Sequence, residues 1–337
     1  MSTKNSKLKQ IMEIRGMGAS ITAFVALIII YVVFGIINPS VFSLQNNMNL
    51  LRAMSIFLLV GIGQSFVMIT GNIDLSLGSV VGMSAMISAT LMVKGVSPIL
   101  AIIVTILCAL VIGVVNGILV GKFKLPPFIA TLGTMFVARG IAYMINGNRN
   151  TDNIGKVIGT DSAKRFQDFF YYGKFLGVYS TFWIALVIFI IFFFMLSKTR
   201  SGRHIYAIGS NVEAAKLSGV NVVATTTKAY LVAEVCAAVV GLILCAQAGM
   251  GNMEAGNMYE MYGVAAGVIG GVSPLGGSGL LLGTFAGAAV WQTLQNGLNM
   301  VSAQVGIQRI VIGVIVVCAV LLDIVSRSGK GLKKKNK

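Results

Sequence analysis

The residues of this chain that could do chemistry are few, and the most conspicuous lie between two apolar runs. The segment T-G-N-I-D-L-S, residues 70–76, contains Asn72, Asp74 and Ser76. An aspartate at membrane depth costs roughly 2.5–3.5 kcal/mol, and unpaired backbone there is also costly. Two interpretations stay open. Asp74 and Ser76 cap the following helix at a tight turn, or the three polar residues form or gate part of a solute path.

Other polar side chains within apolar runs could hydrogen-bond a polar solute or only a neighbouring helix. They are Gln64, Gln247, Gln292, Gln295 and Asn296. Trp291 stands next to Gln292, and its ring could stack on a solute or serve only for packing. Glu234 also lies inside an apolar run, where its partner cannot be identified from sequence.

No motif for catalysis or nucleotide binding occurs in the chain. The single histidine, His204, lies in a basic segment, and neither H-E-x-x-H nor G-x-S-x-G is present. The four Gly-Lys pairs are followed by Phe, Val or Gly, whereas a P-loop needs Ser or Thr there for magnesium. We therefore predict that the chain is not an enzyme and binds no cofactor or metal itself. Any ATP hydrolysis would belong to another polypeptide.

Composition places the chain in a membrane. Of its 337 residues, 56% are hydrophobic and only 11% are charged, and the mean hydropathy is +0.87. The net charge of +16 comes from lysines and arginines that gather at the two ends and in predicted loops, so it indicates topology rather than nucleic-acid binding. The cysteines lie in apolar runs without C-x-x-C spacing and are interpreted as small buried hydrophobes: Cys108, Cys236, Cys245 and Cys318.

Ten apolar segments predict an all-α polytopic membrane protein with about ten transmembrane helices, some of them interrupted. The predicted spans are residues 20–37, 54–70, 75–93, 98–120, 127–145, 181–196, 225–247, 262–272, 276–298 and 307–325. A basic N-terminal segment, residues 1–18, precedes a single transmembrane domain, residues 19–326, and a basic tail, residues 327–337, follows it. By the positive-inside rule both termini and the basic loops are cytoplasmic.

The basic segment 197–222 is predicted to lie in the cytoplasm between two spans. Asn211 is a good N-cap, Glu213 suits the first turn of a helix and Gly219 suits its end, which predicts a short helix between them. Such a helix is well shaped to dock into a groove on a soluble partner. The alternative is a long solvated loop.

Two further segments have an open role. Residues 146–180 are predicted to be external, with mixed charge and several aromatic residues, and they form either a connection or a landing platform for an external partner. Residues 267–279 contain six glycines around Pro274, which predicts either an interrupted helix at a transport site or a tight loop between closely packed helices.

Four stretches resemble the permeases of bacterial ABC sugar importers of the ribose type. They are K-T-R-S-G-R-H-I-Y-A-I-G-S-N-V-E-A-A-K-L-S-G-V (198–220), I-T-G-N-I-D-L-S-L-G (69–78), L-P-P-F-I-A-T-L-G-T-M (125–135) and G-V-I-G-G-V-S-P-L-G-G-S-G (267–279). The resemblance implies a permease of the bacterial inner membrane that moves a monosaccharide or similar polyol inward by alternating access. It also implies a second permease copy or a paralogue, an extracytoplasmic sugar-binding protein, and a cytoplasmic ATPase that binds ATP and Mg²⁺.

The resemblance assigns residues 197–222 as the coupling loop that contacts this ATPase. The residues expected at the contact are Gly202, Arg203, Ala207, Gly209, Asn211, Glu213, Ala214, Ala215 and Gly219. The candidate substrate-path residues are Gln64, Asn72, Asp74, Ser76, Glu260, Tyr262, Trp291, Gln292 and Asn296.

Some positions depart from the family pattern. Tyr262 replaces a usual aspartate, Asn72 a common glycine and Ile312 a frequent lysine, and Glu234 stands where small residues are usual. The departures at Tyr262, Asn72 and Ile312 put the transfer of a particular sugar in doubt, because they fall near candidate path positions.

An ion-coupled secondary transporter is the alternative function. It would need ionisable residues within the membrane, for which Asp74, Glu234 and Arg139 are candidates, with Arg309 and Asp323 at the ends of the last span. A passive channel or scaffold is a third possibility. The three functions are distinguished by whether uptake depends on ATP, on an ion gradient or on neither.

Overall fold

The structure, a computed structural model, describes residues 17–304 together with residues 306–308, 310–311, 313–314, 317 and 321. Most of the predicted basic N-terminal segment and all of the predicted basic tail lie outside the described residues. The same holds for Arg309, Ile312, Cys318 and Asp323.

Helices make up most of the described chain, as the sequence predicts. In chain order they are α1 (Met17–Ile37), α2 (Leu44–Ile69), α3 (Leu77–Val93), α4 (Pro98–Gly121), α5 (Pro127–Met144), α6 (Gly155–Ile158), α7 (Thr160–Gln167), α8 (Ser180–Lys198), α9 (Arg200–Ser210), α10 (Val212–Leu217), α11 (Val222–Ala248), α12 (Tyr259–Ile269) and α13 (Leu281–Met300). A short 3₁₀ helix (Pro39–Phe42), a π-helical turn (Asp168–Tyr172) and a two-stranded antiparallel hairpin of β1 (Lys174–Phe175) and β2 (Val178–Tyr179) complete it.

Six of the described helices are long and apolar enough to cross a membrane: α1, α2, α4, α5, α8 and α11. In contrast, α12 has 11 residues, which at 1.5 Å per residue is roughly 16 Å, about half of the hydrocarbon thickness.

The predicted total of ten spans and the predicted cytoplasmic side of both termini stay predictions. Two predicted boundaries are wrong: α2 begins ten residues before Met54, capped by the Ser43 hydroxyl, and α13 begins only at Leu281.

The centre of the bundle is formed by α2 and α11, which are mostly buried, whereas α1, α4, α5 and α8 leave large apolar side chains exposed on one face. Small residues let the central helices approach closely. Gly63 of α2 lies against the backbone of Ala233, and Gly113 and Gly117 of α4 lie against α11. A side chain at these glycines would force the helices apart.

Two predicted basic loops lie at the same end of the bundle. Gly121 of α4 packs against Val223, so the loop with Lys122 and Lys124 is adjacent to the segment 197–222. We call this end the basic end. Ala19 near the start of α1 also lies there, in contact with Gly271.

At the opposite end, residues 146–180 and 248–258 pack together. The Thr151 N–H donates to the carbonyl of Gly251 at 3.0 Å, and the Tyr172 hydroxyl donates to the carbonyl of Gln247 at 2.9 Å. Arg52 of α2 lies between two rings of this region, with its guanidinium carbon 4.4 Å from the Tyr171 centroid and 4.0 Å from the Tyr179 centroid. Burial raises the pKa of Tyr171, so its ring stays neutral beneath the arginine.

Candidate functional site

The helical structure is interrupted between α2 and α3, and we call residues 70–76 the first break. Asp74 and Ser76 are both fully buried there. Ser76 occupies the N-cap position of α3, as predicted, but its side chain makes no capping hydrogen bond. Its hydroxyl points into the protein instead, where it is hydrogen-bonded by other buried polar side chains.

Polar side chains from four elements meet at Ser76. Its Oγ lies 2.6 Å from Asp74 Oδ1, 3.0 Å from Glu234 Oε1 of α11 and 2.9 Å from Asn116 Nδ2 of α4. The Thr134 hydroxyl of α5 donates to Asn116 Oδ1 at 2.7 Å. We call these five residues the Ser76 network. It identifies the partner of Glu234, which could not be found from sequence.

The backbone of the first break is also bound by side chains. The Gln64 amide pairs with the backbone of Asp74: its nitrogen donates to the carbonyl at 3.2 Å and its oxygen accepts from the N–H at 3.3 Å. The Leu75 N–H donates to the Thr131 hydroxyl at 3.1 Å, and the Tyr230 hydroxyl donates to the carbonyl of Ile73 at 3.2 Å. The non-helical backbone of the first break can therefore be buried in a membrane protein, because these side chains make the hydrogen bonds that water would otherwise provide.

A second break, residues 270–280, separates α12 from α13. It is folded on itself by a hydrogen bond from the Ser273 N–H to the carbonyl of Ser278, 3.0 Å long. Gly277, at φ +71°, takes a conformation that a residue with a side chain rarely adopts. Its N–H donates to the carbonyl of Ile69, the last residue of α2, at 2.9 Å. The predicted interruption is therefore present, and the two breaks touch.

The helix α9 lies against both breaks. The Tyr206 hydroxyl donates to the carbonyl of Gly279 in the second break at 2.6 Å. Burial raises the pKa of Tyr206 to about 12, so this hydroxyl remains a donor at physiological pH. Gly209 approaches the carbonyl of Ile69 so closely that a β-carbon there would overlap it. Sequence reasoning did not predict α9 as a helix, although Thr199 caps it and Ile205 and Ile208 form its buried stripe.

The short helix α10 confirms the predicted local structure of the coupling segment. Asn211 Oδ1 accepts the Ala214 N–H at 2.9 Å, and Gly219 ends the turn with φ +80°. The residues predicted to contact an ATPase divide into two groups. Those with exposed side chains or backbone are Arg203, Asn211, Glu213, Ala214 and Gly219. The others lie partly or fully inside the chain: Gly202, Ala207, Gly209 and Ala215.

The prediction that the Ala215 side chain lies on the surface for an ATPase is wrong. Its side chain is 4% exposed and packs against Ile208 and Val220, so it faces the permease itself rather than the surface of α10. The exposed apolar side chains of α10 are Val212, at 43%, and Leu217, at 89%. A surface for a partner would therefore be built on Leu217 and Val212.

An aromatic cluster lies between α2, α12 and α13. The ring centroids of Tyr262 and Trp291 are 5.2 Å apart, and Phe57 lies 5.7 Å from Tyr262 and 6.3 Å from Trp291. Tyr259 adjoins it at 5.7 Å from Tyr262. Trp291 is buried and packs here, and its Nε1 has no hydrogen-bond partner among the described residues. Sequence reasoning paired Tyr262 and Trp291 as path candidates but missed Phe57.

The nine candidate path residues do not form one site. Gln64, Asp74 and Ser76 meet at the first break, and Tyr262, Trp291 and Gln292 belong to the aromatic region. Asn72 also lies in the first break but outside the Ser76 network, and Glu260 and Asn296 lie elsewhere. Asn72 donates to the Thr70 hydroxyl at 2.8 Å, Asn296 exchanges hydrogen bonds with Asn46, and Glu260 lines a small cavity of about 130 Å³ beside Arg139.

Residues 249–258 run along α3 and are held there by Arg139 of α5. The guanidinium donates to the carbonyls of Met253 at 2.7 Å, Ala255 at 3.0 Å and Gly78 at 3.4 Å. Next to this segment a larger cavity of about 530 Å³ opens at the end remote from the basic end. Its polar lining residues are Gln247, Asn252, Glu254, Asn257 and Tyr259.

A helical bundle with several apolar spans and two interrupted helices that meet inside it defines the class of membrane permeases. Residues 46–320 match the family described as the permease component of the branched-chain amino acid transport system. The chain belongs to this family, and it is a multi-pass protein of the bacterial inner membrane.

Curated relatives cover most of the chain. It is 37% identical to the ribose import permease protein of Bacillus subtilis over 300 residues, 89% of this chain and 91% of that protein. It is 33% identical to the D-allose transport system permease protein of Escherichia coli, covering 89% and 90% of the two chains. It is also 33% identical to the galactose/methyl galactoside import permease protein of Haemophilus influenzae, covering 91% and 94%. No solved structure is significantly similar to this one.

Proposed function

We propose that the protein is the membrane-spanning subunit of an ATP-driven importer that carries a monosaccharide or similar polyol into the cell by alternating access. The observation that supports this most strongly is the position of α9. One short helix, next to the exposed α10, contacts the ends of both interrupted regions through Tyr206 and Gly209. A force applied to α10 would therefore be transmitted through α9 to both the first and the second break.

The partners follow from this arrangement and from the relatives. The basic end faces the cytoplasm, and a separate ATPase, which binds ATP and Mg²⁺, docks on Leu217, Val212 and Ala214 of α10. A second copy of the chain or a paralogous permease completes the pathway. An extracytoplasmic sugar-binding protein approaches the opposite end, where residues 146–180 and 248–258 pack together.

Movement of α10 would be passed on as a rigid-body displacement. Thr199 and Asn211 cap α9 and α10, and Ala215 packs on Ile208 of α9, so the two helices form one body. Its displacement would strain the contact between Gly209 and Ile69 and the hydrogen bond from Tyr206 to Gly279. Both breaks would then move together, which changes the end at which a central cavity is open.

A sugar is favoured over a branched-chain amino acid as the cargo. The family description names amino acids, but the relatives that match over most of their length are named for ribose, allose and galactose. The ring of Tyr262, half-buried beside Phe57 and Trp291, also offers a flat apolar face that suits the C–H groups of a pyranose or furanose.

Reconstitution tests this proposal. The permease, its ATPase and its binding protein would be placed in liposomes with labelled ribose, allose, galactose, leucine or valine. Uptake of a sugar that requires ATP and the binding protein and persists when ionophores collapse the ion gradients is expected. Uptake that needs a proton or sodium gradient and no ATPase would instead identify an ion-coupled secondary transporter.

A further inference from the structure

Glu234 is a fully buried acid in the middle of α11, and the proposed transport mechanism does not use it. Its Oε1 lies 3.0 Å from Ser76 Oγ and 3.5 Å from Asn116 Nδ2. Its Oε2 is buried and has no hydrogen-bond partner among the described residues, and the same is true of Asp74 Oδ2. Two carboxyl groups thus share one small polar network in which half of their oxygens have no donor.

The hydrogen bonds around Ser76 decide which atoms carry hydrogen. A serine hydroxyl has one hydrogen to donate and can accept two. Ser76 Oγ has three close polar neighbours: Asp74 Oδ1 at 2.6 Å, Asn116 Nδ2 at 2.9 Å and Glu234 Oε1 at 3.0 Å. The Asn116 amide nitrogen can only donate, so it occupies one of the two acceptor positions.

The single hydroxyl hydrogen belongs to the shortest contact, the one with Asp74. Asp74 Oδ1 also accepts the backbone N–H of Ser76 at 2.9 Å, and short contacts from two donors to one oxygen are typical of an ionised carboxylate. Glu234 Oε1 therefore faces a hydroxyl oxygen that has no further hydrogen to give but has one free lone pair. The contact is a hydrogen bond only if Glu234 provides the hydrogen.

The surrounding charges agree with this assignment. Among the described residues no lysine or arginine nitrogen lies within 4.0 Å of either carboxyl group. The guanidinium of Arg139 of α5 is bound to three backbone carbonyls. Two ionised carboxylates this close in a buried site would repel each other without compensation. The other ionisable side chains that interact electrostatically with Asp74 or Glu234 are Tyr230 and Cys236 of α11 and Glu260 of α12.

We propose that Glu234 is a protonated carboxylic acid that donates a hydrogen bond to Ser76, and that it acts as a positioning residue for the first break. Asp74 is the ionised partner. The bound proton connects α11 to the start of α3 and holds the hydroxyl of Ser76 inside the protein, away from the capping position of that helix. Loss of the hydrogen-bonding group at 234 would release the break from α11.

Infrared spectroscopy of the purified full-length permease at pH 7 tests the protonation directly, because a protonated carboxyl group has a carbonyl band that carboxylates and amides lack. We expect such a band in the wild-type protein, its loss in Glu234→Gln and its retention in Asp74→Asn. A wild-type spectrum without the band would overturn the proposal. A band that is lost in Asp74→Asn and retained in Glu234→Gln would place the proton on Asp74 and would also overturn it.

Thermal unfolding of matched variants tests the positioning role. Glu234→Gln keeps a donor of the same length and is expected to unfold within about 2 °C of wild type, whereas Glu234→Ala is expected to lose about 4 °C or more. Equal losses in both variants, or none in Glu234→Ala, would contradict the role. Neither measurement involves transport, so their outcome is separate from that of the reconstitution.

Discussion

The backbone N–H of Gly277 donates to the carbonyl of Ile69 at 2.9 Å, and this hydrogen bond joins the two interrupted regions of the permease. Ile69 ends α2, and Gly277 lies between α12 and α13. Since Gly209 of α9 contacts the same carbonyl, three segments far apart in the sequence converge on one backbone oxygen.

Gly209→Ala should separate α9 from the junction. The new methyl group would overlap the carbonyl of Ile69, and overpacking of this kind costs typically about 1–3 kcal/mol. ATP hydrolysis by the assembled complex should continue while sugar uptake falls at least tenfold. Gly133→Ala is the control, because a methyl group there meets nothing within 4 Å. Normal uptake by Gly209→Ala would show that the close approach is not needed for coupling.

Removal of the Tyr206 hydroxyl should weaken the second contact of α9. Tyr206→Phe leaves the carbonyl of Gly279 without its donor, at a cost of about 1–3 kcal/mol. We expect a several-fold lower ratio of sugar transported to ATP hydrolysed. Tyr31→Phe removes a comparable hydroxyl, which donates to Asn47 at the other end of the bundle, and should leave this ratio unchanged. If both variants lower it equally, the effect is general destabilisation.

Leu217→Glu should abolish binding of the ATPase. Leu217 is 89% exposed on α10, so a charge there leaves the fold intact but cannot be buried in an apolar groove. Co-purification of the ATPase is the measurement. Leu176→Glu is the matched control, since Leu176 is 78% exposed in the hairpin at the opposite end. Retention of the ATPase by Leu217→Glu would exclude α10 as the docking surface.

Bulk at two adjacent alanines should have different effects. Ala214→Trp places a large ring on the exposed side of α10 and should prevent ATPase binding without lowering the unfolding temperature. Ala215→Trp would force a ring into the contact with Ile208 and Val220, and it should lower the unfolding temperature of the permease alone. Similar unfolding temperatures for the two variants would contradict the orientation of α10.

Tyr262→Ala should change which sugar is carried. Loss of a ring contact worth about 0.5–1.5 kcal/mol corresponds to roughly two- to tenfold in the relative uptake of competing sugars. Asn72→Gly is the comparison. Asn72 also departs from the family pattern, but its amide binds the Thr70 hydroxyl at the basic end. A change of selectivity in Asn72→Gly but not in Tyr262→Ala would move the selective site away from the aromatic cluster.

Local signals in the sequence predicted many helix ends correctly. Pro98 and Pro127 stand at the first turns of α4 and α5, and Asn211 caps α10. These signals can be recognised in the sequence because they depend only on the backbone geometry and hydrogen bonds of adjacent residues. Amphipathic α9 was missed since its charges made the segment look like a solvated loop. The start of α2 was placed late for a similar reason, as polar residues 45–47 continue the helix beyond the apolar run.

Contacts between distant residues were beyond sequence reasoning. Ser76 and Glu234 are 158 positions apart, and neither residue carries a local pattern that indicates the other. The same applies to Ile69 and Gly277, whose hydrogen bond is made by backbone atoms that every residue except proline has. The signal that could have pointed to the Ser76 network is the cost of two acids in apolar runs, since each requires a buried partner.

Among the described residues, Arg139 donates hydrogen bonds to carbonyl oxygens alone, so its binding partners and the arginine itself differ in how well they tolerate substitution. Residues 253 and 255 present only their main chain to the guanidinium, so most substitutions at these positions leave the attachment intact. The arginine itself has no substitute, because lysine cannot reach three divergent oxygens with one nitrogen. Homologues could therefore vary at residues 253 and 255 while Arg139 continues to hold the segment against α3.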